Sequence, residues 1–182
     1  MRDAVFNKLY ELAKTDKNLM IVVADMGAPA LDKFREDFPD QFLDVGIAEQ
    51  AMVAIAAGLV LSGKRVFTYA IASFAVSRCY EALKVNFAFT GLTLTVIGVG
   101  SGTTYWEAGP THHALDDVPL MHLLGATVYE PQDDKDAAIL TEIAYKTKGL
   151  SYLRLPRGNK VQHILTPIVT PIWFDKKVLA RL

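Results

Sequence analysis

Leu19-Met20-Ile21-Val22-Val23-Ala24-Asp25-Met26-Gly27 is the stretch on which the fold turns. Its first part is an unbroken apolar run with no polar alternation, which reads as a parallel strand buried on both faces. Asp25-Met26-Gly27 then ends it in a turn. A strand hidden on both faces needs a covering layer above and below, and in a parallel sheet those layers are helices.

Working outward, the chain supplies them. Upstream, Val5, Leu9 and Leu12, flanked by Phe6, Tyr10 and Ala13, follow helical spacing to about Lys14. Downstream, a short helix over 32–38 stops at Pro39, a short strand covers 42–45, and Gly46 turns the chain into 48–61. That last run is dense in alanine and aliphatic residues on nearly every side, so it belongs in a core or against another subunit. Strands at 66–70, 93–99, 127–130 and 152–155 then alternate with helices at 74–89, 117–124 and 133–146. The order predicts an α/β domain over 1–160, a mostly parallel sheet with helices on both faces. Residues 161–182, with Pro167 and Pro171, break the alternation and read as a linker or docking tail.

Composition narrows the partners. Hydrophobic residues make up 51% of the 182, charged residues 21%, and the net charge is -1, which argues against disorder and against a nucleic-acid partner. The single cysteine, Cys79, excludes an internal disulfide framework and suits a reducing cytoplasm. No apolar run reaches the roughly 18 residues of a membrane span, so no membrane partner is expected.

Side chains able to do chemistry gather where strands end, in Asp25-Met26-Gly27, in Asp44-Val45-Gly46-Ile47-Ala48-Glu49-Gln50 and in Gly109-Pro110-Thr111-His112-His113-Ala114-Leu115-Asp116-Asp117. Ligands of such sheets bind at the carboxyl ends of the strands. Taken singly, each has an ordinary explanation too. Glu49 in the first turn of a helix is stabilised by the helix dipole, and Phe74 suits core packing. His112 and His113 are loop histidines or, with Asp116 and Asp117, a metal site. The metal site is the weaker option, since no second ligand cluster has zinc-like spacing. Arg157 is a surface cation or a two-pronged anion binder.

Gly46-Ile47-Ala48-Glu49-Gln50-Ala51-Met52, with the small-residue helix running to Gly63, resembles the segment that carries the glutamate of transketolases, deoxyxylulose-phosphate synthases and related thiamine diphosphate enzymes. In the same order, Val22-Val23-Ala24-Asp25 resembles the family's first strand and its aspartate. Ala72-Ser73-Phe74 with Arg78-Cys79-Tyr80-Glu81 resembles its aromatic pocket, residues 109–117 its histidine loop, and Tyr152-Leu153-Arg154-Leu155-Pro156-Arg157 its last strand and arginine. The resemblance runs from about residue 3 to 160 and implies a pyrimidine-binding domain. By it, Glu49 bonds the aminopyrimidine ring and activates the cofactor, Gly46 turns the chain beneath the ring, Phe74 stacks on it and Asp25 lies near the cofactor. His112 lies near the reacting carbon with the substrate, His113 stands beside it, and Arg157 takes a substrate phosphate or carboxylate.

Several positions depart from the family pattern. Ile71 and Gly100 stand where many transketolases have a pocket aromatic and a substrate histidine, Pro29 replaces a serine, and His113 replaces a glutamine. Residues 103–107 make the loop before the histidines bulky. The chain contains no Gly-Asp-Gly, so the diphosphate and its Mg2+ or Ca2+ are expected on a partner subunit, in a homo- or hetero-oligomer, with no metal ligand here. The resemblance therefore implies the pyrimidine-domain subunit of a split transketolase that moves a two-carbon ketol unit between small molecules. A deoxyxylulose-phosphate-synthase-like or decarboxylating subunit is the alternative, as is a non-catalytic scaffold or regulatory subunit.

Overall fold

The computed structural model of the chain describes residues 1–158. The expected tail at 161–182 lies outside the described residues. One sheet of six parallel strands forms the centre, in the order β2-β1-β3-β4-β6-β5. The strands are β1 (Leu19–Val23), β2 (Phe42–Asp44), β3 (Arg65–Ile71), β4 (Leu94–Val99), β5 (Thr127–Tyr129) and β6 (Leu150–Leu155). The stretch that decides the fold behaves as its composition requires, with all of β1 buried. Leu19, Ile21 and Val23 enter one core with Phe67, Tyr69, Ile97 and Leu153, while Met20 and Val22 enter the other with Val66, Val96 and Tyr152. This is the two-residue alternation of a strand, with both faces covered.

The first core is closed by α1 (Arg2–Ala13), α2 (Pro29–Asp37) and α7 (Asp134–Lys146), through Val5, Phe6, Leu31, Phe34, Ala137 and Ala144. The second is closed by α3 (Glu49–Leu61), α4 (Ala72–Ala75), α5 (Tyr80–Leu83) and α6 (Asp117–Leu123), through Met52, Val53, Ala75, Leu83 and Met121. Because β1 lies between β2 and β3, successive strands step away from it in opposite directions. The crevice left at their carboxyl ends is where ligands of such folds bind.

One expectation is corrected. Residues 74–89 form no single helix: α4 ends at Ala75, α5 begins at Tyr80, and Lys84–Ala88 is a π-helical turn. The break has a local cause, since the N–H groups of Ser77 and Arg78 both return to the Ser73 carbonyl, at 3.1 and 3.3 Å, and the regular ladder cannot continue. The result keeps Phe74 at the end of β3 and turns Arg78 back toward α3.

Candidate active site

Asp44, at the end of β2, organises the first loops. Its Oδ1 accepts from the N–H of Asp25 at 3.0 Å and from the N–H of Gly46 at 2.9 Å, so one carboxylate ties the end of β1 to the turn before α3. Gly46 has φ +71°, and a Cβ there would meet nothing within 4 Å. Glycine is therefore required by the backbone conformation and not by crowding among the described residues. Asp25 itself takes φ 50°, a left-handed conformation that aspartate tolerates better than most residues. The turn delivers Glu49 to the first position of α3, where the residue is only 4% exposed.

From Glu49 a row of side chains runs across the carboxyl ends of the strands. Arg78 Nη1 donates to Glu49 Oε2 at 2.6 Å, and the Arg78 guanidinium lies 4.2 Å from the centroid of the Phe74 ring. Phe74 meets the His112 ring edge to face at 4.9 Å, and His112 meets Tyr105 in the same way at 6.2 Å. Beyond Tyr105, the Arg157 guanidinium lies 4.9 Å over its ring. Arg157 then lines a cavity together with Arg2, Asp3, Val99 and Gly158. The row thus begins at a buried carboxylate, passes an aromatic face and a histidine, and ends at the Arg157 guanidinium, beside a cavity whose other charges, Arg2 and Asp3, pair with each other at 3.6 Å.

The histidine loop is held from below. Asp117, fully buried, accepts from Tyr152 Oη at 2.8 Å and from Arg154 Nε at 2.7 Å, while Arg154 Nη2 also donates to the Ala114 carbonyl at 3.2 Å. Burial and the Asp117 charge push the Tyr152 phenol well above its ordinary value. Burial alone would lower the Arg154 guanidinium, but the hydrogen bond and charge of Asp117 hold it above its usual value. Ser77 Oγ donates to both oxygens of Asp116 at 3.2 and 3.1 Å, and Ser73 Oγ donates to the Thr111 carbonyl at 3.1 Å. Asp116 and Asp117 are thus engaged in holding the loop, and among the described residues no group of three His, Cys, Asp or Glu is placed to hold a metal ion.

Cys79 lies close to the row but does not belong to its chemistry. Burial pushes its thiol up to about 12, the Glu49 charge adds to the effect, and Arg78 opposes it. A buried thiol kept protonated at neutral pH is a poor nucleophile.

The chain matches the family described as the transketolase pyrimidine binding domain over residues 1–161. It belongs to that family. An apulose-4-phosphate transketolase subunit of Phocaeicola vulgatus is 35% identical over 159 residues, covering 86% of this chain and 51% of that protein. The 6-deoxy-6-sulfo-D-fructose transketolase subunit SqwH of a Clostridium species is 33% identical over 164 residues, covering 89% and 51%. A 1-deoxy-D-xylulose-5-phosphate synthase of Geobacter sulfurreducens is 35% identical over 152 residues, 82% of this chain but 24% of that one. Among solved structures, a split-gene transketolase described as an inactive beta4 tetramer superposes with a TM-score of 0.76 at 28% identity, covering 91% of this chain and 53% of that one. The chain therefore spans about half the length of the two transketolase subunits it matches.

Within this pyrimidine domain the structure brings Glu49, Phe74, His112 and Arg157 into one row, and Asp25 and Gly46 share the Asp44 carboxylate beside it. His113 is not joined to the row: its Nε2 is buried with no hydrogen-bond partner among the described residues. Four further residues meet these candidates in the fold, Arg2, Asp44, Arg78 and Tyr105, to which the sequence alone assigned no individual role. Asp44 and Arg78 lie inside family-like segments and Tyr105 inside the bulky loop, yet only the fold shows what they meet. The absence of a side chain at Gly100 has a local reason: a Cβ there would lie 2.1 Å from Tyr105 Cε2. Tyr105 occupies the space that a larger residue at 100 would need.

Proposed function

We propose that the chain is the pyrimidine-domain subunit of a two-subunit, transketolase-like thiamine diphosphate enzyme that transfers a two-carbon ketol unit. The observation that carries this reading is the row from Glu49 through Phe74 to His112 at the carboxyl ends of the strands, in a chain half the length of relatives that are themselves named as transketolase subunits. When bound, the cofactor supplies the stabilised carbanion on which ketol transfer depends. A buried carboxylate beside an aromatic face fits its aminopyrimidine ring. Its diphosphate and Mg2+ or Ca2+ find no such ligand set among the described residues, so a diphosphate-binding partner subunit holds them.

Each residue of the row has a task. Glu49 bonds the ring edge and exchanges a proton with it, in a position screened from bulk water. Phe74 orients the ring, with Asp25 and Gly46 shaping the floor beside it through Asp44. His112 holds or moves a proton at a substrate hydroxyl, with His113 as the neighbouring polar group. Arg157 takes an anionic end of the substrate. That fits the names of the two transketolase-subunit relatives, whose sugars carry a phosphate or a sulfo group. The lone buried cysteine accords with a cytoplasmic setting, and among the described residues no helix is long and apolar enough to cross a membrane.

The deoxyxylulose-phosphate synthase relative keeps a decarboxylating condensation as the second reading. Copurifying the chain with its partner and assaying ketol transfer from phosphate-ended ketoses against decarboxylation of pyruvate separates the two. In the assembled enzyme we expect Glu49→Gln to slow deuterium exchange at C2 of the bound cofactor by at least about a hundredfold, the scale of one acid–base group. Unchanged exchange would remove Glu49 from the role, and absence of cofactor binding by the assembled pair would favour a scaffold.

A further inference from the structure

Arg78 makes both of the contacts through which the proposed site grips a ring. Its Nη1 bonds Glu49 Oε2 at 2.6 Å and its guanidinium lies 4.2 Å from the centroid of the Phe74 ring. A guanidinium is planar, carries N–H groups along its edge that bond carboxylates, and stacks on aromatic faces. In shape and bonding it offers Glu49 and Phe74 a flat body with a bonding edge, as an aminopyrimidine does. It also answers a physical need, because a carboxylate as buried as Glu49 is costly without a partner.

The surroundings leave this side chain free to give up its place. The Arg78 backbone is pinned, its N–H bonding the Ser73 carbonyl at 3.3 Å and its carbonyl accepting from Gln50 Nε2 of α3 at 3.1 Å. The side chain is 44% exposed, and among the described residues Glu49 is its one ion-pair partner. A fixed backbone with one exposed, singly paired side chain permits rotation toward solvent without movement of α3 or the histidine loop.

We propose that Arg78 is the place-holder of the ring site: its guanidinium occupies the ring's contacts on Glu49 and Phe74 in the cofactor-free chain and swings out when the ring enters. The proposal rests on reading Glu49 and Phe74 as the ring site. Its consequence is a penalty on cofactor entry that protects a buried carboxylate until the ring takes over the partnership.

The test uses the full chain and 4-amino-5-hydroxymethyl-2-methylpyrimidine as probe, titrated while amide and arginine side-chain signals are followed by NMR. In the parent, the Arg78 Nε signal is expected to shift as the probe displaces it. Arg78→Ala is expected to bind the probe about fivefold tighter, the factor for one half-exposed ion pair that no longer has to be broken. Arg78→Met, which keeps the length without the charge, is expected to follow it and guards against a misfolded alanine variant. Equal or weaker binding by both variants would overturn the proposal and make Arg78 a co-ligand of the ring. Phe74→Ala in the Arg78→Met background is expected to lose the gain. If the probe binds none of these chains, or binds a Glu49→Gln chain in the Arg78→Met background as well as it binds the Arg78→Met chain, the ring-site reading fails and the place-holder with it.

Discussion

Gly100 holds a φ of +88°, and the Tyr105 ring fills the volume its side chain would use. Two penalties therefore meet at one residue. An alanine there adopts a left-handed backbone at about 1–2 kcal/mol, and its methyl group forces Tyr105 off the faces of His112 and Arg157. We expect Gly100→Ala to lose about 2–5 kcal/mol in urea denaturation, the sum of backbone strain and overpacking. Combining it with Tyr105→Ala should recover the packing part and leave the backbone part. A double variant as unstable as the sum of the singles would mean that Tyr105 is not what the new methyl meets. Position 100 thus shows how a missing side chain in sequence becomes a filled wall in the fold.

At the scale of elements, the histidine loop depends on β6 and α6 more than on its own residues. Asp117 opens α6, Arg154 and Tyr152 stand on β6, and Arg154 extends to the Ala114 carbonyl, so one buried network sets where the loop lies. Removing Asp117 leaves Arg154 paired with Glu130, 2.7 Å from its Nη1, and takes the acceptor from the buried Tyr152 hydroxyl, at about 1–3 kcal/mol. Asp117→Ala is expected to lose stability on that scale. It should also speed hydrogen exchange at Gly102 and Ala114, which bond each other's carbonyls at 3.0 and 2.8 Å across the loop. Normal protection of those amides in a destabilised chain would show that the network stabilises the core without positioning the loop.

For the whole molecule, the exposed surface matters as much as the core. Ile47 is 78% exposed before α3, Leu61 73% at its end and Phe89 72% beyond the neighbouring π-helical turn, with Ile55 and Val85 also exposed on these elements. Large apolar residues on elements packed side by side mark a surface that another chain covers. We expect the isolated chain to fold, to associate with itself in a concentration-dependent way seen by sedimentation, and to bind thiamine diphosphate with Mg2+ only weakly. On the proposed reading the ring pocket answers one end of the cofactor, and no ligand set for its diphosphate and metal stands among the described residues. Tight Mg2+-dependent binding by calorimetry, with turnover by this chain alone, would refute the division of the site between two subunits.

How much of this was legible without the fold follows from the range of each signal. The apolar run of β1, the alternation of strands and helices, and the seat of Glu49 at a helix start are set by neighbours within a turn or a strand, and local periodicity reveals them. The family resemblance added Phe74, His112 and Arg157 because those residues stand in recognisable local segments. The single helix expected over 74–89 failed because its break is made by two N–H groups converging on the Ser73 carbonyl, which spacing does not encode. The strand order, the Arg78 contact with Glu49 29 residues away, and the Arg154 contact with Asp117 37 residues away were decided only in three dimensions. Which charged group meets which depends on the sheet placing β1, β3, β4 and β6 side by side, and burial then requires every charge left inside to find a partner.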